Sequence, residues 1–389
     1  MMLPVVMVLL QAATPPPGAV IADDGTITVT ATRLSDLAAA AAACVARPCP
    51  TRQDAAVSVA YASALFDEGR YHEAKQTLGA AVSRVKRAAT QEPIAVAQVY
   101  TAQATLSAHE GDQRITERAT NAGYLVLRDG LGRTALPTLS AAYRRAVWEV
   151  RVGRAAMAER HLAEIAETAA AAGHAELADA AVLQRAQVLA WLKRRPAAFA
   201  LLDSLAARPV APGRTAGDAA QVQRAALATA VRLATDAGDE ALAGRYLAQF
   251  ETIPDGDVPQ LLSQTEQPKP GRGDTDDPSD PIGQDRGANG AALTGLRWAD
   301  IGYWIRPDGS VDDISVLRGS RTRAWTAPLT RWIAARRYTP SRGKTGHYRI
   351  ERYSLTADYR TPVGSLIRRR AGNPRYEVMP MGEVPAGAQ

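Results

Sequence analysis

The chain has 389 residues, enough for two or three domains, with 46% apolar residues and a net charge of +6. Alanine dominates the apolar set and favours helix. A charge excess this modest, spread along the chain, argues for solubility and against a dedicated nucleic-acid binder.

Residues 1–22 read as a signal peptide. The apolar run Leu3 to Leu10 is far too short to span a bilayer, which needs about 20 residues. Small residues follow it, with cleavage expected after Ala13, Ala19 or Ala22, although no Lys or Arg precedes the run. No other stretch has the character of a transmembrane helix, so the mature chain is expected in the periplasm. Residues 23–34, "DDGTITVTATRL", are expected to be extended. From Thr26 to Thr32 a small hydroxyl residue alternates with an apolar one, and β-branched side chains favour that backbone. A flexible leader, or a strand packed on helices, is the plain alternative.

Cys44 and Cys49 are the only cysteines. In an exported protein their spacing points to a small-loop disulfide at a helix end, and two buried thiols are the alternative. No histidine lies near enough to complete a metal site.

Residues 35–252 carry the helical apolar period almost throughout. In "YASALFDEGRYHEAKQTLGAAV", Gly69 sits at a turn, Tyr71 follows, and Ala74, Leu78 and Ala81 share a helix face. The same offsets recur at Gly153, Ala158 and Leu162, and at Gly238, Ala243 and Leu247. Weaker copies centre on Gly111 and on Arg194–Arg195. Glycine ends a helix cheaply, a small alanine lets the next helix approach, and a larger residue fills the groove. Such hairpins bury their faces by stacking on neighbours. An irregular alanine-rich bundle is the alternative. The first copy resembles the tetratricopeptide repeat family, with a period nearer 42 residues than the usual 34.

Residues 253–292 are rich in proline, glycine and aspartate and read as a disordered linker, spanning roughly 35 Å as a flexible coil. The next unit, 293–362, holds four of the six tryptophans. "WADIGYWI" alternates, Asp308–Gly309 signals a tight turn, and "VDDISVL" is the return strand. "TAPLTRWIAARRY" is a helix placing Trp325, Leu329, Trp332 and Ile333 on one face, with Pro328 in its first turn. "HYRIERYSLTADY" closes the unit as a long strand. Residues 363–389 are expected to be a tail, with Arg368 to Arg370 solvated.

The β-β-α-β order, "VDDISVLRGS" and the helix exit at Tyr338 and Pro340 resemble the C-terminal domain of the TonB energy transducers. The fold class expected is therefore multidomain: an α-helical repeat plus a small α+β domain. That resemblance implies a periplasmic domain that dimerises or pairs by strand addition, with outer-membrane transporters as partners. "GTITVTATR" in turn resembles a TonB box, the likeness carried by Asp24, Thr26, Ile27, Val29, Thr30 and Ala31. An exposed strand edge can be completed by an extended peptide. The expected docking therefore joins Thr26, Ile27, Val29 and Thr30 to the last strand at Tyr348, Ile350 and Arg352, within one chain or between two. Four or five net hydrogen bonds of about 0.5–1.5 kcal/mol each suit a reversible contact.

Catalytic and metal-binding patterns are not found. His72, His109, His161, His174 and His347 are scattered. Gly343–Thr345 lacks the preceding glycine of a phosphate loop. "DTDDPSD" at 274–280 has Pro278 and lacks a calcium-loop glycine. The expectation is a non-enzymatic periplasmic protein-interaction protein without cofactor, accessory to TonB-dependent transport. The alternative is an envelope scaffold that binds peptidoglycan or a periplasmic partner without a transporter.

Overall fold

A computed structural model describes residues 20–21, 27–28, 33–208, 215–250, 252–253, 258–270, 296–320, 324–341, 346–360, 363, 369–370 and 373–385. Two compact units divide the chain. The N-terminal unit takes residues 5–107 and 115–141; the C-terminal unit takes 108–114 and 142–389.

Two short antiparallel strands, β1 (Val20–Ile21) and β2 (Ile27–Thr28), open the described chain. Helix α1 (Leu34–Ala46) follows, and the Cys44–Cys49 disulfide ties its end to the turn before α2 (Thr51–Asp67). Helix α3 (Tyr71–Val85) pairs with α2, then come α4 (Pro93–His109), α5 (Gln113–Leu131) and α6 (Leu136–Arg151). The repeat positions do what their spacing requires: Tyr71, Ala74, Leu78 and Ala81 are all buried. Phe66 meets Tyr71 edge-on at 4.9 Å between ring centroids. Arg84 on α3 reaches Asp54 on α2 through Nε at 2.8 Å, and Ser58 donates to the same carboxylate. The hydrogen bond from Arg84 holds the Asp54 carboxyl below its ordinary range, against the opposing effect of burial.

In the C-terminal unit the helices continue with α7 (Ala155–Ala171), α8 (Ala175–Trp191), α9 (Arg195–Ala206), α10 (Ala216–Asp236) and α11 (Glu240–Phe250). A capping box, Thr215 with Asp218, starts α10. Across both units the hairpin turns place a positive φ at Gly69, Gly111, Gly153, Lys193 and Gly238, spaced 42, 42, 40 and 45 residues apart. Behind the turn the chain closes a Schellman pattern, as in Arg70 N–H to Leu65 O at 2.8 Å and Arg194 N–H to Leu189 O at 2.8 Å. Lys193 takes the left-handed position at φ 64°, which side chains other than glycine's adopt only at a cost. One repeat expectation fails. Ala158, Leu162 and Ala243 are buried, but Leu247 is 42% exposed. Tyr246 fills that groove instead, stacked on Phe199 at 5.9 Å and donating to Asp203 at 2.8 Å. Offsets of three and four share a helix face, so the larger side chain took the buried place.

The C-terminal sheet has the order β10-β7-β4-β5. Its strands are β4 (Arg297–Ile305), β5 (Val311–Gly319), β7 (His347–Thr356) and β10 (Arg375–Pro385), all antiparallel to their neighbours. Between β5 and β7 run α12 (Ala327–Ala334) and the two-residue strand β6 (Arg337–Tyr338). The β-β-α-β order stands, but the helix stops four residues before Tyr338, whose strand conformation ends the expected helical run. Short strands β8 (Tyr359–Arg360) and β9 (Arg369–Arg370) pair with each other. Trp325, Leu329, Trp332 and Ile333 cover Ala299, Ile301, Tyr303 and Ile305 of β4 to make the sheet core.

Two expectations are corrected here. Residues 258–270 of the expected linker are ordered on the unit: β3 (Leu261–Ser263) pairs with β6, Leu261 packs into the sheet core and Leu262 into the core of α8 to α11. A strand alternates its faces, so two adjacent leucines serve two cores. Residues 271–295 lie outside the described residues. The expected tail, for its part, contains β10, which pairs with β7 along its whole length. Its strand signal is masked by Pro380, Gly382 and Pro385. Proline is tolerated there because β10 is an outer strand, and the register shifts between Pro380 and Gly382.

Candidate functional site

The expected docking edge does not exist. β7 pairs with β4 on one side and β10 on the other, and Tyr348, Ile350 and Arg352 are in register with both. No extended peptide can add there while β10 is in place. Of the proposed peptide, Thr26, Val29 and Thr30 lie outside the described residues, and the Ile27–Thr28 backbone pairs with Val20–Ile21. Arg352 is fully buried. Its Nε and Nη2 donate to the two Asp300 oxygens at 2.6 and 2.8 Å, Arg318 adds a third bond at 2.7 Å, and Trp298 lies 4.2 Å beneath the guanidinium. Arg352 is thus a structural ion, held as a buried charge must be. Tyr348 packs on Trp304 at 5.2 Å, over the space left by Gly302.

The outer strands carry their own protection. From Val311 to Gly319, β5 pairs with β4 alone among the described residues, but with two register shifts and with Asp312, Asp313 and Arg318 along it. β10 carries its prolines. Charges, bulges and prolines are the usual means of discouraging strand addition.

Beneath α12 lies a second polar network. Arg336 donates to Glu351 at 2.9 Å, to the Tyr303 hydroxyl at 2.8 Å and to the Tyr353 hydroxyl at 3.0 Å, and Tyr353 donates to Glu351. Tyr303 and Tyr338 share a hydrogen bond at 3.1 Å. Burial works against charge on Glu351, yet the Arg336 charge and the hydrogen bonds from Tyr353 and Arg336 hold its carboxyl below the ordinary range. Burial raises both Tyr303 and Tyr353. The network turns its hydrogen bonds inward, apart from Arg336 Nε, which is buried without a hydrogen-bond partner among the described residues. It rigidifies the sheet, and no nucleophile–base pair emerges from it.

The turn Ala108–Arg114 packs against the sheet within the C-terminal unit. His109 Nδ1 meets Ser354 Oγ at 3.0 Å. A Cβ on Gly111 would fall inside the Ala357 carbonyl oxygen, so glycine there is required by close approach as well as by its φ of 71°. Burial first, then the charges of Arg151, Arg352 and Arg375, depress the His109 imidazole to about 3. Of the five histidines weighed from sequence, this one is a neutral packing residue. No group of three or more metal-ligating side chains occurs among the described residues.

An apolar surface remains in the N-terminal unit. Ile94, Leu125, Leu131 and Leu136 are 48, 41, 37 and 42% exposed on α4, α5 and the start of α6. Pro93 and Gly130 touch, since a Cβ on Gly130 would press on the Pro93 ring, which brings the Ile94 and Leu131 positions together. Underneath, Ala97, Leu127 and Ala141 form a small buried cluster with Tyr124 against it. The sequence period marks α5 and α6 as amphipathic but does not say which apolar residues stay outside. No helix among the described residues is long and apolar enough to cross a membrane.

No family model matches the chain, and no curated protein matches it. Among solved structures it is similar to BtubC (BKLC) from P. vanneervenii, at 13% identity over 60% of this chain and 97% of that one, with a TM-score of 0.46. It is also similar to a Podosopora anserina protein with nearly identical TPR-like repeats of kinesin-light-chain type, at 15% identity over 53% and 96% of the two chains, TM-score 0.44. A singly substituted form of that protein matches at 14% identity with the same TM-score.

Proposed function

We propose that this chain is a protein-interaction scaffold of the bacterial periplasm, whose helical hairpins present the contact surface and whose C-terminal sheet is internally braced by buried ion pairs. The observation that carries this reading is the exposure of four large apolar side chains, Ile94, Leu125, Leu131 and Leu136, on α4, α5 and the start of α6, with the Ile94 and Leu131 positions side by side. Clustered exposed apolar side chains mark protein contact sites. The Cys44–Cys49 disulfide supports an oxidising compartment. The partner is a periplasmic or envelope protein, and transporter involvement is the finer reading, supported by the box-like peptide at Asp24 to Ala31 and by the β-β-α-β order. Sealing of β7 favours a role without a transporter. A photo-crosslinker at Ile94, installed in cells, tests the main reading. A discrete adduct lost in Leu131→Asp supports it; an adduct pattern unchanged by that substitution, with the chain folded, refutes it. A parallel crosslinker at Val29 decides the finer reading: capture of an outer-membrane transporter supports it, and its absence leaves the transporter-free scaffold.

A further inference from the structure

Within the C-terminal unit lies a cavity of about 280 Å³, near the lower bound for small-ligand sites. Its wall includes Trp148 and Arg151 of α6, Glu266 to Pro270 of the segment after β3, Asp358, and Arg375 with Tyr376 at the start of β10. In sequence this segment reads as linker and these strand residues as tail, so no reading of motifs could place them together.

Two arginines dominate the chemistry. Arg151 and Arg375 both grip Glu377, Arg151 through Nη2 and Arg375 through Nε at 2.8 Å, and Arg375 also holds Asp358 at 2.7 Å. A guanidinium carries five N–H donors in a planar fork, and these contacts use only part of the two sets. The Arg151 guanidinium lies 5.5 Å from the Trp148 ring, and the buried Trp148 indole N–H has no hydrogen-bond partner among the described residues. Burial, and then the like charge of Arg375, pull Arg151 down to about 10, a strain that a further anion relieves.

We propose that this cavity binds a carboxylate, at a peptide C-terminus or on a small free acid, between Arg151 and Arg375. The grip on Glu377 shows that the pair accepts carboxylate geometry. Arg151, Lys269 and Arg375 on the wall face Glu266 and Asp358, and Glu377 balances the third positive charge, so a ligand carboxylate gains its contacts in exchange for those of Glu377 and a phosphate dianion is disfavoured. Glu377 lies behind the wall and competes with the ligand for both arginines. The aromatic and proline side of the cavity, Trp148, Tyr376, Pro268 and Pro270, receives the apolar part of the ligand. This site is independent of the helix surface assigned to protein contact.

Calorimetric titration of the full chain tests it, with acetyl-dialanine, its C-terminal amide and propionate as probes. The acid binds and the amide binds at least about tenfold more weakly, as expected for loss of a charge-assisted contact. Arg151→Gln weakens the acid by a similar factor, and Glu377→Gln tightens it by removing the competitor. Should R151Q fail to fold, Lys269→Gln and E377Q carry the test, K269Q weakening and E377Q strengthening. Propionate binding as well as the peptide identifies a free-acid site, and binding of the peptide alone identifies a chain terminus; either supports the proposal. Equal affinity for acid and amide, no binding by the folded chain at millimolar probe, or weaker binding in folded E377Q overturns it.

Discussion

Asp54 and Asp300 each anchor an arginine, one in the N-terminal unit and one in the C-terminal unit, and the surroundings of the two pairs differ. Asp54 meets Arg84 across adjacent helices, and the arginine side chain keeps 29% of its surface in water. Asp300 meets Arg352 across neighbouring strands, and neither side chain keeps more than 2%. The helical pair joins elements that chain proximity had already brought together. The strand pair sits inside a sheet that closes only when β10, from the far end of the chain, seals β7. The contrast teaches that the hairpins rest on small local faces, whereas the sheet rests on desolvated, long-range partners that tolerate no vacancy.

The largest test removes one partner from each pair. Asp300→Ala strips the buried Arg352 of its carboxylate partner, and is expected to cost about 3–5 kcal/mol. Asp54→Ala lets Arg84 turn to water and should cost about 1–2 kcal/mol. Hydrogen exchange at β7 and α2 amides separates the two losses, because the units need not unfold together. Equal costs would break the comparison.

Acid probes the same contrast. The folded chain holds His109 near 3, far below its ordinary 6.5, so the unfolded chain takes up a proton first as pH falls. His109 therefore contributes stability that is complete above about 6.5 and is lost on acidification by up to about 1.4 kcal/mol per pH unit, until pH reaches the folded value. Urea midpoints between pH 6.5 and 4.5 should fall for the natural chain and fall less for His109→Gln. Below that window Asp54 and Glu351, both depressed, begin to lose their own contributions.

Two turn glycines give a smaller, paired effect. Gly111→Ala meets the Ala357 carbonyl as well as an unfavourable φ, and should cost at least about 2 kcal/mol. Gly153→Ala has the same sign of φ and open space around it, and should cost about 1 kcal/mol. Thermal melts distinguish them; similar losses would mean that the turn does not press on the sheet. Smallest of all, Lys193→Gly should stabilise by up to about 1 kcal/mol, less what glycine's unfolded-state entropy takes back. A lower melting temperature would show that the Lys193 side chain contributes more than its backbone strain costs.

The sequence by itself determined what lies within one or two elements. Turn glycines at a steady spacing, alanines five residues on, the cysteine pair across one turn and the Asp308–Gly309 hairpin all report local geometry, and the chain realises them. Even the Leu247 error stays within one helical turn, because Tyr246 and Leu247 compete for one groove. Tertiary structure alone decided the rest. The strand in the tail was hidden because Pro380 and Gly382 spoil a pattern that an outer strand tolerates. Leu261 and Leu262 look like two residues of a linker until two cores stand on either side of them. Arg352 and Arg336 look like any exposed arginine in sequence, since charge and spacing carry no record of burial. Whether a charged side chain points into water or onto a buried carboxylate depends on which distant strand lies beside it, and hydrophobic periodicity encodes faces but not neighbours.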